Sequence, residues 1–263
     1  MGFRVLHIGM AAGALALLPL SAGCAQERGG LASRVDAAPP DAEVRLQFKG
    51  KEGVCGTDSG NISVHDSGGM RGWNGQECVE GPVNVRLVRR GGRVVQLKTK
   101  VAFGFRDEGR RVVDLGRVSA RDASAYLLSL AERSTDGEVG ESALFPATVA
   151  DSVTTWPALL RMGRNERIPA GTRRSAVFWL SQQAGDEVTK GITDLVDDGD
   201  VDHEVREHAV FALSQRPREE SVPALIRIAR EHKDPKLRRT AMFWLGQSND
   251  PRALALFEEI LSN

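Results

Sequence analysis

The sequence predicts an α+β, multidomain chain: an N-terminal β-rich domain followed by a C-terminal α-solenoid of stacked helix pairs. Three observations carry that expectation. Between residues 42 and 116 apolar residues alternate with polar ones, the two-residue period of half-buried strands. From Ser119 onward the period lengthens to that of helices. One apolar phrase is then written three times: SAVFWLSQQ at 175–183, HAVFALSQR at 208–216 and TAMFWLGQS at 240–248, at steps of 33 and 32 residues. A lone helical hairpin cannot bury its apolar face, so recurrence at that period implies stacked layers.

The first 24 residues read as an export signal. Arg4 precedes an apolar run, 8–18, too short to span a bilayer, and Pro19 with small residues closes it. The closing residues Leu20-Ser21-Ala22-Gly23-Cys24 resemble a bacterial lipobox, which implies that Cys24 becomes the lipidated first residue. Ordinary cleavage after Ala25 is the competing reading, and either one exports the chain. Residues 25–41 lack apolar periodicity and end near Pro39-Pro40, so they are expected to form a tether.

In the β-rich domain, 42–116, Val44, Leu46 and Phe48 form one alternating set, and Val83, Val85 and Leu87 a second. Val95, Leu97, Thr99, Val101 and Phe103 form a third. The turn signal RRGGRV joins the last two. A two-residue Gly91-Gly92 loop would set Leu87 opposite Gln96, mixing the faces. A three-residue loop, 91–93, pairs Leu87 with Leu97 and Val85 with Thr99. Because a one-residue slip turns every side chain over, an odd loop with a bulge and a glycine at positive φ is expected.

The chain holds three cysteines. With Cys24 lipidated or removed, Cys55 and Cys78 remain as a pair suited to an oxidising compartment. A disulfide there would staple a Gly- and Asp-rich loop and stabilise by roughly 3 kcal/mol on the chain-entropy argument. A metal site would need more ligands than two cysteines and His65.

Residues 117–152 are expected to be connecting helices, with Ser119 capping the first. The solenoid is expected over 153–263. Phe178/Trp179, Phe211/Ala212 and Phe243/Trp244 are expected to fill successive inner layers. Arg173, Arg206 and Arg238 stand at equivalent positions near Asp202 and Asp234, suggesting a charge ladder between repeats. The last helix, with Glu258 and Glu259 outward, is expected to cap the stack.

The stretches DHEVREHAVFAL and DPKLRRTAMFWLGQSNDPRAL resemble HEAT repeats of the short bacterial type also found in phycobilin lyase subunits. That resemblance covers about 153–263. It implies a right-handed solenoid whose second helices line a concave face, and an interaction or scaffold role. Arg161, Asp194 and Arg227 are equivalent second-helix positions and become candidate concave-face contacts for a polar protein ligand. Residues 42–116 resemble no family.

Acidic and basic residues balance at 35 each, so the total charge does not suggest nucleic acid as a partner. Locally, residues 82–106 hold seven basic side chains and no acidic one. In the register above, Arg86 faces Lys98 across the hairpin and Lys100 lies on the same face, a candidate patch for an anionic partner or simply a solvated sheet face.

Catalytic readings find little support. HEVREH spaces its histidines, His203 and His208, five residues apart, roughly 140° around a helix, so they cannot share one metal. The single His203-Glu204 pair is too few for the HEAT-like iron hydroxylases, which use several. No G-x-S-x-G and no phosphate-cradling glycine loop occurs. The residues therefore predict a non-catalytic interaction or scaffold module at the bacterial envelope, with no cofactor and no metal. A protein partner in the envelope and a membrane contact through the lipid are expected, with no nucleic acid and no small-molecule ligand. The alternative is an envelope enzyme or accessory subunit with a site between the two domains, near His65, Asp66 and the Trp73 loop.

Overall fold

The computed structural model describes residues 30–64 and 77–262. The leader with Cys24, and His65, Asp66 and Trp73, lie outside the described residues.

The main sheet has strands β1 (Glu43–Phe48), β5 (Val83–Arg90), β6 (Arg93–Val101) and β7 (Val112–Arg117), ordered β6-β5-β1-β7. β1 is antiparallel to β5 and parallel to β7. Three cross-strand rows build its inner face: Val44–Leu87–Leu97, Leu46–Val85–Thr99 and Phe48–Val83–Val101. The alternating apolar positions thus share one buried face, as their period requires.

The register of the hairpin is as expected, but its turn is not. Arg90 pairs with Arg93, so the loop is the two residues Gly91 and Gly92, both at positive φ. The odd residue sits instead in the ladder: Val88 pairs with Gln96 and Arg89 with Val94, leaving Val95 bulged and exposed. Val94 takes the inward place that alternation assigned to Val95. Alternation constrains only the sum of loop and bulge, and a tight two-glycine turn matches the strand twist better.

A second small sheet, ordered β3-β2-β4, consists of β2 (Val54–Gly56), β3 (Ile62–Val64) and β4 (Val79–Glu80). Cys55 on β2 is bonded to Cys78, with Cα atoms 5.4 Å apart.

The expected tether departs from the structure. Residues 31–36 form helix α1 (Leu31–Asp36), whose Leu31 and Val35 are buried with Ala38 just beyond. The Arg34 guanidinium donates to the Leu115 carbonyl at 2.9 Å. The buried Arg89 donates to the Asp36, Ala38 and Pro39 carbonyls and, at 2.8 Å, to that of Gly92. Six residues are too few to display a helical period, and only the i, i+4 pair Leu31/Val35 hinted at it.

From α2 (Ala120–Arg133) the chain is helical: α3 (Gly137–Thr148), α4 (Trp156–Arg164), α5 (Ala170–Ser181), α6 (Asp186–Asp197), α7 (His203–Ser214), α8 (Arg218–Glu231), α9 (Pro235–Gln247) and α10 (Pro251–Ser262). Ser119 caps α2 by accepting from the Asp122 amide. α3, α5, α7 and α9 stack in one layer, with α4, α6, α8 and α10 in the other. The stack therefore includes α2 and α3, which were expected only to connect. β6 packs on α3, and Gly50 bridges Ala150, so the sheet closes the first end of the stack. One apolar core runs from Leu31 to Leu256 without a break.

The repeated phrase packs differently from expectation. Its inward residues are Ala176, Val177 and Leu180, then Ala209, Val210 and Leu213, then Ala241 and Leu245. Phe178 and Phe211 are only half-buried, and Phe243 is 57% exposed. They do occupy corresponding positions along one stack, but on its flank. A residue one step past Val177 or Val210 is turned about 100° out of the core, and the leucine three steps on returns to it.

Candidate protein-interaction surface

The flank of α5, α7 and α9 carries a chain of aromatic contacts that crosses each repeat boundary. Phe145 of α3 meets Trp179 at 5.1 Å between centroids, and Trp179 meets Phe178 at 5.1 Å. Phe178 stacks parallel to Phe211 at 6.5 Å. Phe211 meets Trp244 at 5.0 Å, which touches Phe243 edge-on at 5.0 Å. Each such pair contributes about 0.5–1.5 kcal/mol beyond area burial, so the strip stiffens the stack while keeping ring edges at the surface.

Beside the strip lies an open groove of about 620 Å³, whose walls include Arg174, Glu207, His208, Arg239 and Phe243. Its charges are of both signs. Arg174 binds Glu204 at 2.7 Å, and the Thr240 hydroxyl donates to Glu207 at 3.1 Å. Burial, and next the charge of Arg174, push the His208 imidazole below its usual pKa. His208 packs on Phe211 at 5.3 Å and its Nε2 meets no partner. An apolar floor rimmed by separated charges suits a peptide segment with an apolar anchor. No sequence pattern placed these aromatics at the surface; their lack of inward leucine spacing was the available signal.

The second-helix residues lie on successive helices as their spacing requires, but two are already engaged. Arg161 pairs with Glu132 of α2 at 3.1 Å, and Arg227 with Asp197 at 2.8 Å. Asp194 is exposed on α6. With Arg164–Asp198 and Arg230–Glu259 these pairs link neighbouring helices of that layer. Exposed pairs of this kind contribute at most about 1 kcal/mol each. The first-helix ladder runs through different partners: Arg173 binds Asp202 of the next repeat, and His203 lies 3.2 Å from Asp234. Arg206 and Arg238 instead donate to the Val196 and His232 carbonyls at the ends of second helices. His203 and His208 thus have separate surroundings. Among the described residues no three His, Cys, Asp or Glu side chains converge as metal ligands.

The basic hairpin patch is not a patch. Arg86 is 3% exposed, donates to Glu108 at 2.7 Å and stacks on Phe105 at 5.0 Å. Residues 102–111 cross the outer sheet face as a strap, held where Arg45 donates to the Phe105 and Arg106 carbonyls. Beneath it Glu43 is fully buried, 2.6 Å from Arg45 and 3.8 Å from both Arg86 and Arg110. Lys100 is half-buried over Phe105, and only Lys98 of the three is exposed. The counter-charges lay just outside the basic window, at Glu108 and on the facing strand at Glu43.

A second cavity, about 610 Å³, lies where the sheet meets the end of α3, lined by Lys49, Lys51, Glu80, Arg117 and Asp151. Lys49 pairs with Asp151 at 2.8 Å, and burial lowers the pKa of Lys51.

A family profile described as HEAT repeats matches residues 189–263. No curated protein matches the chain. HEAT repeats as a class mediate protein interaction and scaffolding and are typically non-catalytic. Residues 189–263 are thus similar to HEAT repeats, in keeping with the two stacked helical layers they form.

Proposed function

We propose that the protein is a non-catalytic interaction module of the bacterial cell envelope, exported by its leader and anchored through Cys24. It binds a protein partner on the flank of α5, α7 and α9. The observation that carries this is the exposed end of the aromatic strip, Phe243 at 57%, beside a groove whose rim offers both signs of charge. The partner segment this suits is a peptide with one or two large apolar side chains between charged residues. The engaged pairs at Arg161 and Arg227 make the second-helix layer the poorer binding face.

The test is crosslinking and co-purification from native membranes, with wild type beside Phe211→Ala/Phe243→Ala. A stoichiometric protein lost from the double variant, while folded yield is unchanged, supports the proposal. Equal recovery from both overturns the groove assignment. Chemical labelling of Cys24 by lipid, absent in Cys24→Ala, tests the anchor.

A second reading, an envelope enzyme or accessory subunit, draws on the junction cavity with its half-buried Lys51. Lys51→Met leaving every cellular phenotype of the protein intact would remove it.

A further inference from the structure

The strap between β6 and β7, residues 102–111, joins opposite edges of the main sheet, so it must cross β5 and β1. Val101 lies in the row of Phe48 and Val112 in the row of Glu43, three strand spacings and five residues apart. That is about 22 Å, whereas the eleven residue steps from one to the other reach about 36 Å when extended. The strap is longer than the crossing needs and can lift without moving either strand.

No ladder holds it. Residues 103–108 belong to no strand or helix, and Gly104, Arg106, Asp107 and Glu108 are exposed. Side chains hold it instead. Glu108 accepts from Arg86 on one carboxylate oxygen and from Arg110 on the other, each at 2.7 Å. Phe105 covers the Arg86 guanidinium at 5.0 Å and the Lys100 ammonium at 5.9 Å. The closed position is not a relaxed one. Ala102 turns through left-handed backbone at φ 63°, a conformation that a side chain disfavours. Beneath the strap Glu43 Oε2 and Arg86 Nε are buried without a hydrogen-bond partner, which favours any arrangement that lets water reach them.

We propose that the strap is a removable cover, and that the sheet face beneath it binds an extended acidic segment of a protein partner with an aromatic side chain near its carboxylates. The strap itself shows what fits: an aromatic ring on a cation and, three residues on, a carboxylate between two arginines. Once it lifts, the outer rows present Arg45, Arg86, Lys98 and Lys100 against Glu43 and, on β7, Asp114. An incoming acidic segment meets that excess of positive charge and replaces both strap contacts. Its apparent affinity is reduced by the fraction of molecules whose strap is closed. This surface is separate from the groove on α5, α7 and α9, and neither reading depends on the other.

Two measurements on the full chain test this. Phenylglyoxal labelling read by mass spectrometry follows arginine access in wild type. Arg86, Arg89 and Arg173 are 3%, 5% and 4% exposed, and of these Arg86 alone lies under the strap. Arg86 is expected to label about tenfold faster than the other two, because local opening reaches it without global unfolding. Equal rates for the three would overturn the proposal. Fluorescence anisotropy then follows a labelled peptide copy of residues 103–109, FGFRDEG. Phe105→Ala/Glu108→Gln, which removes both strap contacts, is expected to bind it about tenfold more tightly than wild type. A peptide with Gln in place of Glu should lose that gain. A variant that binds the peptide no better than wild type, or that prefers phosphatidylglycerol vesicles to it, would overturn the assignment of an acidic protein segment.

Discussion

Arg86→Gln distinguishes a surface cation from a buried one. A solvated arginine on a sheet face could be replaced at a cost within about 0.5 kcal/mol. Here the side chain is 4% exposed, and Glu43 beside it is fully buried. Removing the guanidinium leaves that carboxylate facing Arg45 and Arg110 alone, and also ends the contact with the Phe105 ring. Breaking a buried charge network from one side costs about 3–5 kcal/mol. For a chain of this size each kcal/mol moves the melting temperature by about 2–4 °C, so a fall near 10 °C is expected. Urea unfolding followed by circular dichroism and by tryptophan fluorescence should give the same loss, provided the two signals coincide. The pH profile adds a check. Hydrogen bonds from Arg86 and then Arg110 hold the Glu108 carboxyl below its usual range. A depressed carboxylate stabilises the fold above its unfolded pKa, and that share is lost as pH falls through the folded value. Arg86→Gln should therefore flatten the acid limb of the stability curve. A midpoint within 0.5 kcal/mol of wild type, with an unchanged acid limb, would refute the buried placement of Arg86.

Three further outcomes are expected. Replacing Cys55 and Cys78 together by Ser should cost about 3 kcal/mol, and a reductant should lower the wild-type melting temperature by a similar amount while sparing the variant. Tyr126 is the only tyrosine in the chain, and burial pushes its phenol up to about 12. Absorbance at 295 nm should titrate there in the folded protein and near 10 in urea; because the folded pKa is the higher one, stability is full below 10 and declines as pH rises toward 12. The buried Arg216 donates to the Ser181, Gln183 and Gly185 carbonyls and to Thr189, tying the turn before α6 to the turn before α8. Arg216→Met should cost about 3 kcal/mol and speed hydrogen exchange around 181–189, which urea titration and mass spectrometry would read.

Much of the fold was legible because it depends on period. The Leu87–Leu97 and Val85–Thr99 pairs follow from alternation, the Ser119 cap from a hydroxyl three residues ahead of Asp122, and the stacked pairs from a recurring phrase. The candidate surfaces were less legible. The resemblance directed attention to Arg161 and Arg227, which the neighbouring helices neutralise, and the aromatic flank went unread because apolar residues were assigned inward. The split of one odd residue between turn and bulge was likewise invisible, since both choices keep the same pairs.

By itself the sequence determined most of the residues that share a face, Val95 excepted, and pointed to Cys55 and Cys78 as a pair. Those are local matters, decided by the pitch of helix and strand and by counting. Only the tertiary structure decided which face meets water. Arg86 is buried because a strap with Phe105 and Glu108 returns over it, and Phe243 is exposed because neighbouring helices leave one flank of the stack open. Burial depends on what arrives from elsewhere in the chain, and no period along one segment records that arrival.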